Sequence, residues 1–190
     1  MNPATPQEIR AFFNAKGRKV LTFTGYSDSG YEDEAAMLEH AAQILDRADP
    51  EKTIVNIGAT PNGIGAVYEI AKRKGFLTTG IVSTQARDNG IALSPYVDVV
   101  FFVEDAAWGG FIPGTTRLSP TSAAMVENSD LMVAIGGGEI VRDELIAARQ
   151  SGKVVQYIPA DMNHRAATER ASKQGKPAPT DFRGAAAAVL

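Results

Sequence analysis

Residues 129–144 read Ser129-Asp130-Leu131-Met132-Val133-Ala134-Ile135-Gly136-Gly137-Gly138-Glu139-Ile140-Val141-Arg142-Asp143-Glu144. Leu131–Ile135 is a continuous apolar run, not an alternating one, which is the pattern of a strand buried on both faces. Three glycines end it. A helix is predicted over Asp143–Gln150, closed by Gly152.

The same strand–turn–helix unit repeats on both sides of this stretch. Strands are predicted at Val20–Thr24, Thr53–Ile57, Leu77–Ser83, Val97–Glu104 and Val154–Ile158, and helices at Thr5/Pro6–Lys16, Asp33–Ala48, Gly65–Lys74 and Thr121–Ser129. The polar segment Asp161–Gln174 also has helix potential. Strands alternating with helices imply a three-layer α/β sandwich around a mostly parallel sheet of about six or seven strands. The expectation is one domain spanning 1–190, with a helix in 1–17. The Pro-, Gly- and Ala-rich tail 176–190 is expected to be loosely held, or to dock as a last apolar turn at 185–190.

Composition narrows the function classes. A chain of 190 residues with 44% apolar and 22% charged residues can bury its own core. A net charge of −3 gives no overall attraction to nucleic acid or an anionic membrane. With no cysteine, thiolate metal sites and cysteine nucleophiles are excluded. No apolar run reaches the roughly 20 residues of a membrane span. The N-terminal residues lack a signal-peptide pattern, and a cytoplasmic location is expected. His40, on a predicted apolar stripe, reads as a core or interface residue, and His164 as solvated. Neither has acidic partners at ligand spacing, so no metal site is expected.

Ligands of open parallel sheets bind outside the carboxyl ends of the strands. Three strands here end in small-residue turns: Gly25-Tyr26-Ser27-Asp28-Ser29-Gly30, Gly58-Ala59-Thr60-Pro61-Asn62-Gly63-Ile64-Gly65, and Gly136-Gly137-Gly138-Glu139. Glycine lets backbone approach a ligand, and free amides at a helix start favour an anion. One such turn is explained by geometry alone. Three on one edge point to a ligand site built from Gly25, Ser27, Gly58, Asn62, Gly63, Gly65, Gly136, Gly137, Gly138, Glu139 and Asp143. No Gly-Lys-Ser/Thr follows any turn, and no G-x-G-x-x-G follows the first strand, so neither a phosphate-binding P-loop nor an ordinary dinucleotide fold is expected.

On these motifs the chain, over about 19–159, resembles the SLOG superfamily, which includes the LOG-type phosphoribohydrolases once called lysine decarboxylase-like. The resemblance rests on Thr24-Gly25-Tyr26-Ser27, on Asn62-Gly63-Ile64-Gly65-Ala66-Val67, and above all on Ser129–Glu144, where an acidic residue precedes the strand and a glutamate follows in the helix. It implies a modified Rossmann-like fold, a homodimer, and a nucleotide ligand resembling a nucleoside monophosphate. The N-terminal helix and the Thr121–Ser129 helix, with Met125, are the candidate interface. The pattern departs from the family at two places. Ile140 and Val141 stand where a glycine-threonine pair is usual, and Thr121 stands where the hydrolases carry an arginine, leaving Arg117 or Arg142 to substitute.

N-glycosidic cleavage passes through an oxocarbenium-like state that a carboxylate can serve. By motif position Glu144 is the acid/base candidate, with Glu139 and Asp143 as neighbours. The alternative is that acidic residues simply favour a first helical turn. In the long loop before the Thr121 helix, Trp108 or Phe111 would stack on a base with Arg117 on a phosphate, or the aromatics would pack against protein. The expected function is binding of a nucleotide-derived phosphorylated ligand. Hydrolysis of a nucleoside 5′-monophosphate is set against non-catalytic sensing, or carriage of a nucleotide-bearing cofactor.

Overall fold

The computed structural model describes residues 2–189. Six strands form one parallel sheet: β1 Lys19–Gly25, β2 Thr53–Ile57, β3 Leu77–Ser83, β4 Val99–Val103, β5 Leu131–Ile135 and β6 Val154–Ile158. Their spatial order is β4-β3-β2-β1-β5-β6, and every neighbouring pair is parallel. The order reverses direction between β1 and β5, so the topological switch point lies where the first and third glycine turns leave the sheet.

Helices cover both faces. On one, α2 (Glu34–Leu45) and α3 (Val67–Arg73) pack Met37, Leu45 and the fully buried Tyr68 against Phe23, Ile57 and Ile135. On the other, α1 (Pro6–Lys16), α5 (Pro120–Glu127) and α6 (Glu139–Gln150) cover Ile54, Ile81, Met132 and Ala134. The alternation along each strand sends successive side chains to opposite layers, and that is why the runs are apolar throughout. A short α4 (Thr84–Asp88) and a polar α7 (His164–Lys173) complete the set.

Local chemistry sets the helix ends. Thr5 and Glu8 form a reciprocal capping box at the start of α1, which Gly17 ends in the left-handed conformation. Asp33 caps α2 through the Ala36 amide at 2.8 Å. Asp105 caps α5 from a distance, accepting the Thr121 amide at 2.8 Å and the Ala107 amide at 2.9 Å. Burial works against the Asp105 charge, and these amides outweigh it and hold the carboxyl below its ordinary range. Replacing Asp105 by alanine should cost about 1–2 kcal/mol in urea denaturation, and the loss should shrink as pH falls below about 4, where the unfolded chain takes up the proton first, and vanish only once the folded carboxylate, held lower, is protonated too.

Several expectations are corrected. Helix α6 begins at Glu139, four residues earlier than read from sequence, because Gly138 takes the extended N-cap conformation and the Arg142 amide already bonds its carbonyl. The α4 turn was not expected at all; Ser83 caps it through the Gln85 amide. The residues at 63–66 form a 3-10 turn before α3 proper. His40 is exposed, since Met37, Ala41 and Leu45 carry the buried stripe of α2. His164 stacks on Phe182 at 3.9 Å instead of facing solvent freely. Met125 and most of α5 are buried within the protomer, leaving Pro120 and Glu127 exposed on that helix. Residues 176–181 carry no helix or strand, while Ala185–Val189 forms a 3-10 turn on α6 with Ala186 buried and its amide on the Gly137 carbonyl at 3.0 Å. Leu190 lies outside the described residues. No helix among the described residues is long and apolar enough to cross a membrane.

Candidate functional site

The three glycine turns do emerge on one edge of the sheet, but their glycines divide into two kinds. Most make room for the chain itself. A Cβ on Gly63 would run into the carbonyls of Tyr26 and Ser27, and one on Gly65 into the Thr60 carbonyl. The second turn is thereby pressed against the first, and the Ile64 amide donates to Tyr26 O at 2.7 Å. Gly25 faces the Tyr31 hydroxyl, which donates to Ile135 O at 2.8 Å and accepts from the Tyr26 amide at 3.1 Å. That hydroxyl bridges the ends of β1 and β5. A Cβ on Gly136 would come within 2.5 Å of the Tyr26 ring, and one on Gly137 within 2.7 Å of the Val141 side chain. Both glycines are buried.

Gly58 and Gly138 are different. Each is partly accessible, and a Cβ on either would meet open space. Gly138 precedes the α6 amides of Glu139, Ile140 and Val141 with no side chain capping them. Ser27, Asn62 and Glu139 are exposed on the same edge. Of the residues named from sequence, Gly58, Gly138, Ser27, Asn62 and Glu139 remain free to meet a ligand, together with the partly accessible Gly25.

Two of the three candidate carboxylates, Asp143 and Glu144, are buried. Glu144 is buried between α5 and β1, its Oε1 accepting from Ser122 Oγ at 2.7 Å and its Oε2 from Thr24 Oγ1 at 3.3 Å. Burial in this setting pushes its pKa up to about 7, partly offset by the two hydroxyls, with the neighbouring Asp143 adding repulsion. Asp143 is also buried; it accepts the Phe111 amide at 2.8 Å and pairs with Arg142 at 2.9 Å. Arg142 is thus engaged with its own neighbour. Glu139 and Glu144 stand apart, the first exposed and the second against the sheet, as their five-residue separation requires.

Arg117 is exposed on a small hairpin in which Phe111 bridges Leu118. Trp108 is half exposed, and Phe111 is partly buried against the α6 start through its amide bond to Asp143. Thr121 is buried, with its amide held by Asp105. Sequence reasoning missed Ser122, Tyr31 and Asp105. Ser122 becomes meaningful only when α5 is laid against α6, and Asp105 only when the loop after β4 meets the start of α5; nothing in their local sequence marks them. A cleft of about 250 Å³ lies between α7 and the segment 176–184, lined by Met162, Ala171, Phe182 and Gly184, with Arg170 and Lys176 among its walls.

No family model matches the chain, and no curated protein matches it in sequence. Among solved structures, TM1055, a structural-genomics target, is similar at 20% identity, covering 72% of each chain with a TM-score of 0.51. Two structures of the molybdenum cofactor carrier protein from Chlamydomonas reinhardtii are similar at 19% identity. They cover 90% of this chain and 95–96% of the other, with TM-scores of 0.51 and 0.54. What these likenesses establish is the architecture: the chain is a three-layer, Rossmann-like α/β protein with an all-parallel six-stranded sheet, a fold it shares with TM1055 and the molybdenum cofactor carrier.

Proposed function

We propose that the chain binds a nucleotide or a nucleotide-bearing cofactor at the carboxyl edge of the sheet, around Gly58 and Gly138, and releases it unchanged, as a carrier or sensor of the SLOG type. The observation that carries this reading is the state of Glu144. The carboxylate in the acid/base position is buried with both oxygens on hydroxyls, and its neighbour Asp143 is committed to an amide and an arginine. A hydrolase would present such a group to the sugar. Thr121 in place of the hydrolases' arginine points the same way, and so does the extensive likeness to a cofactor carrier. Bound phosphate would be met by the uncapped first-turn amides of α6, which suit an anion.

One observation favours the second reading, hydrolysis of a nucleoside monophosphate. A carboxyl titrating at about 7 is well placed for general acid/base work at neutral pH. The two readings separate in one experiment. The protein is incubated with nucleoside mono-, di- and triphosphates and sugar nucleotides, and the bound fraction is extracted and chromatographed. Intact ligand over many hours is expected. Free base accumulating with time, and lost in Glu144→Gln, would replace the carrier reading with the hydrolase one. A cytoplasmic location and a homodimer belong to this proposal. Its interface would draw on the exposed side of α1, with Pro120 and Glu127 of α5 also at the surface.

A further inference from the structure

The long loop before α5 is built as a hinged cover. Asp105 pins both of its ends, taking the Ala107 amide at the entry and the Thr121 amide at the exit. Between these anchors the chain lies across the start of α6. Gly109 and Gly110, at φ of 144° and 82°, rest against Ile140, and such angles suit glycine alone. The Ser119 N–H donates to the Gly110 carbonyl at 2.8 Å, and three further bonds tie the middle of the loop to α5 and α6. Gly110 N–H donates to Ser122 Oγ at 2.8 Å, Ser122 Oγ donates to Glu144 Oε1 at 2.7 Å, and Phe111 N–H donates to Asp143 Oδ2 at 2.8 Å. Beyond them, residues 113–117 are exposed.

We propose that residues 107–118 are a lid over the first turn of α6, and that Ser122, Asp143 and Glu144 are positioning residues that latch it shut while Glu144 is protonated. Two buried carboxyls in consecutive residues cannot both carry charge without water or a cation. Arg142 serves Asp143. The hydrogen-bond partners of Glu144 are neutral, Thr24 from β1 and Ser122, itself bonded to the lid, from α5, and the charged group beside it is Asp143, which repels it. Ionised, Glu144 would keep its two hydroxyl donors but stay buried from solvent beside Asp143, so hydration of the charge favours the state in which Gly110 has parted from Ser122, and the lid loosens. The latch itself does not depend on which ligand binds. Its meaning as a gate rests on the reading above that the α6 turn is the ligand site.

The test is hydrogen exchange of the Gly110 and Phe111 amides by NMR between pH 5 and 8, without ligand, with protection corrected for the intrinsic chemical rate. Protection is expected to fall by up to about tenfold per pH unit as pH rises toward 7, and then to level off, which is the linkage of one proton. Glu144→Gln, a neutral side chain of the same shape, should abolish the dependence and keep both amides protected. Ser122→Ala should lower Gly110 protection at every pH, and it serves as the second variant if Glu144→Gln does not fold. Protection independent of pH in the wild type, an unchanged dependence in Glu144→Gln, or full Gly110 protection in Ser122→Ala would each overturn the latch. Because no nucleotide is present, these outcomes stand apart from success or failure of the nucleotide reading.

Discussion

Replacing Gly63 by alanine should destabilise the protein by about 3 kcal/mol or more, combining the overpacking of a tight contact with the left-handed conformation of a residue bearing a Cβ. Gly63 has φ of 57°, and its missing Cβ is the space occupied by two backbone carbonyls of the first turn, neither of which can rotate away. Gly65→Ala should behave alike, since the obstacle there is the Thr60 carbonyl. Gly58→Ala and Gly138→Ala, by contrast, should change stability by less than about 1 kcal/mol, the ordinary range for an accessible site without such a conflict. Chemical denaturation of the four variants checks the division. Equal losses in all four would mean that the turns are not of two kinds.

The second large effect concerns Glu144 and pH. Its carboxyl titrates at about 7 in the fold against an ordinary 4.5, chiefly through burial. Below pH 4.5 it is protonated in folded and unfolded chain alike, and no difference arises. Between 4.5 and 7 the unfolded chain gives up the proton while the folded one keeps it, so stability falls as pH rises. Above 7 both are ionised and the loss, about 3 kcal/mol, is complete. Glu144→Gln should therefore match the wild type near pH 4.5 and exceed it by about 2–3 kcal/mol at pH 8. Urea denaturation of both proteins at the two pH values reads this directly. A variant less stable than wild type at pH 8 would show that the buried carboxylate is compensated in a way the Ser122 and Thr24 hydroxyls do not provide.

The fold was largely legible because the strands announce themselves. Thr53–Ile57, Leu77–Ser83, Leu131–Ile135 and Val154–Ile158 are apolar or β-branched, bounded by turn residues, and appear with the bounds read from sequence. Helix starts were harder, for a physical reason. The start of α6 follows a glycine N-cap with no side-chain signature, so Glu139–Arg142 read as loop. Helix α4 is a single capped turn that leaves no periodic pattern.

The site was legible only as a place. Glycines on one edge located it, but sequence cannot tell a glycine that admits a ligand from one that admits a neighbouring carbonyl. Gly63 and Gly58 look alike until the first turn is laid against the second. Glu144 was noticed through its motif position, whereas its burial depends on Ser122 and Thr24, residues 22 and 120 positions away. Arg117 and Arg142 were candidates by charge type alone; the structure leaves one exposed on a hairpin and pairs the other with Asp143.

The central claim is that a nucleotide-bearing ligand is met at Gly138 and the first-turn amides of α6, which no side chain caps. It is tested most directly by thermal denaturation of wild type and Gly138→Ala against a panel of nucleoside mono-, di- and triphosphates, cyclic nucleotides and sugar nucleotides. At about a hundred times its dissociation constant, a true ligand stabilises the wild type by about 2.7 kcal/mol, roughly 5–10 °C in Tm for a chain of this size. The predicted result is such a shift with at least one member of the panel, growing with concentration and largely lost in Gly138→Ala, whose own Tm stays near wild type. No shift from any nucleotide, or an undiminished shift in Gly138→Ala, would contradict the account.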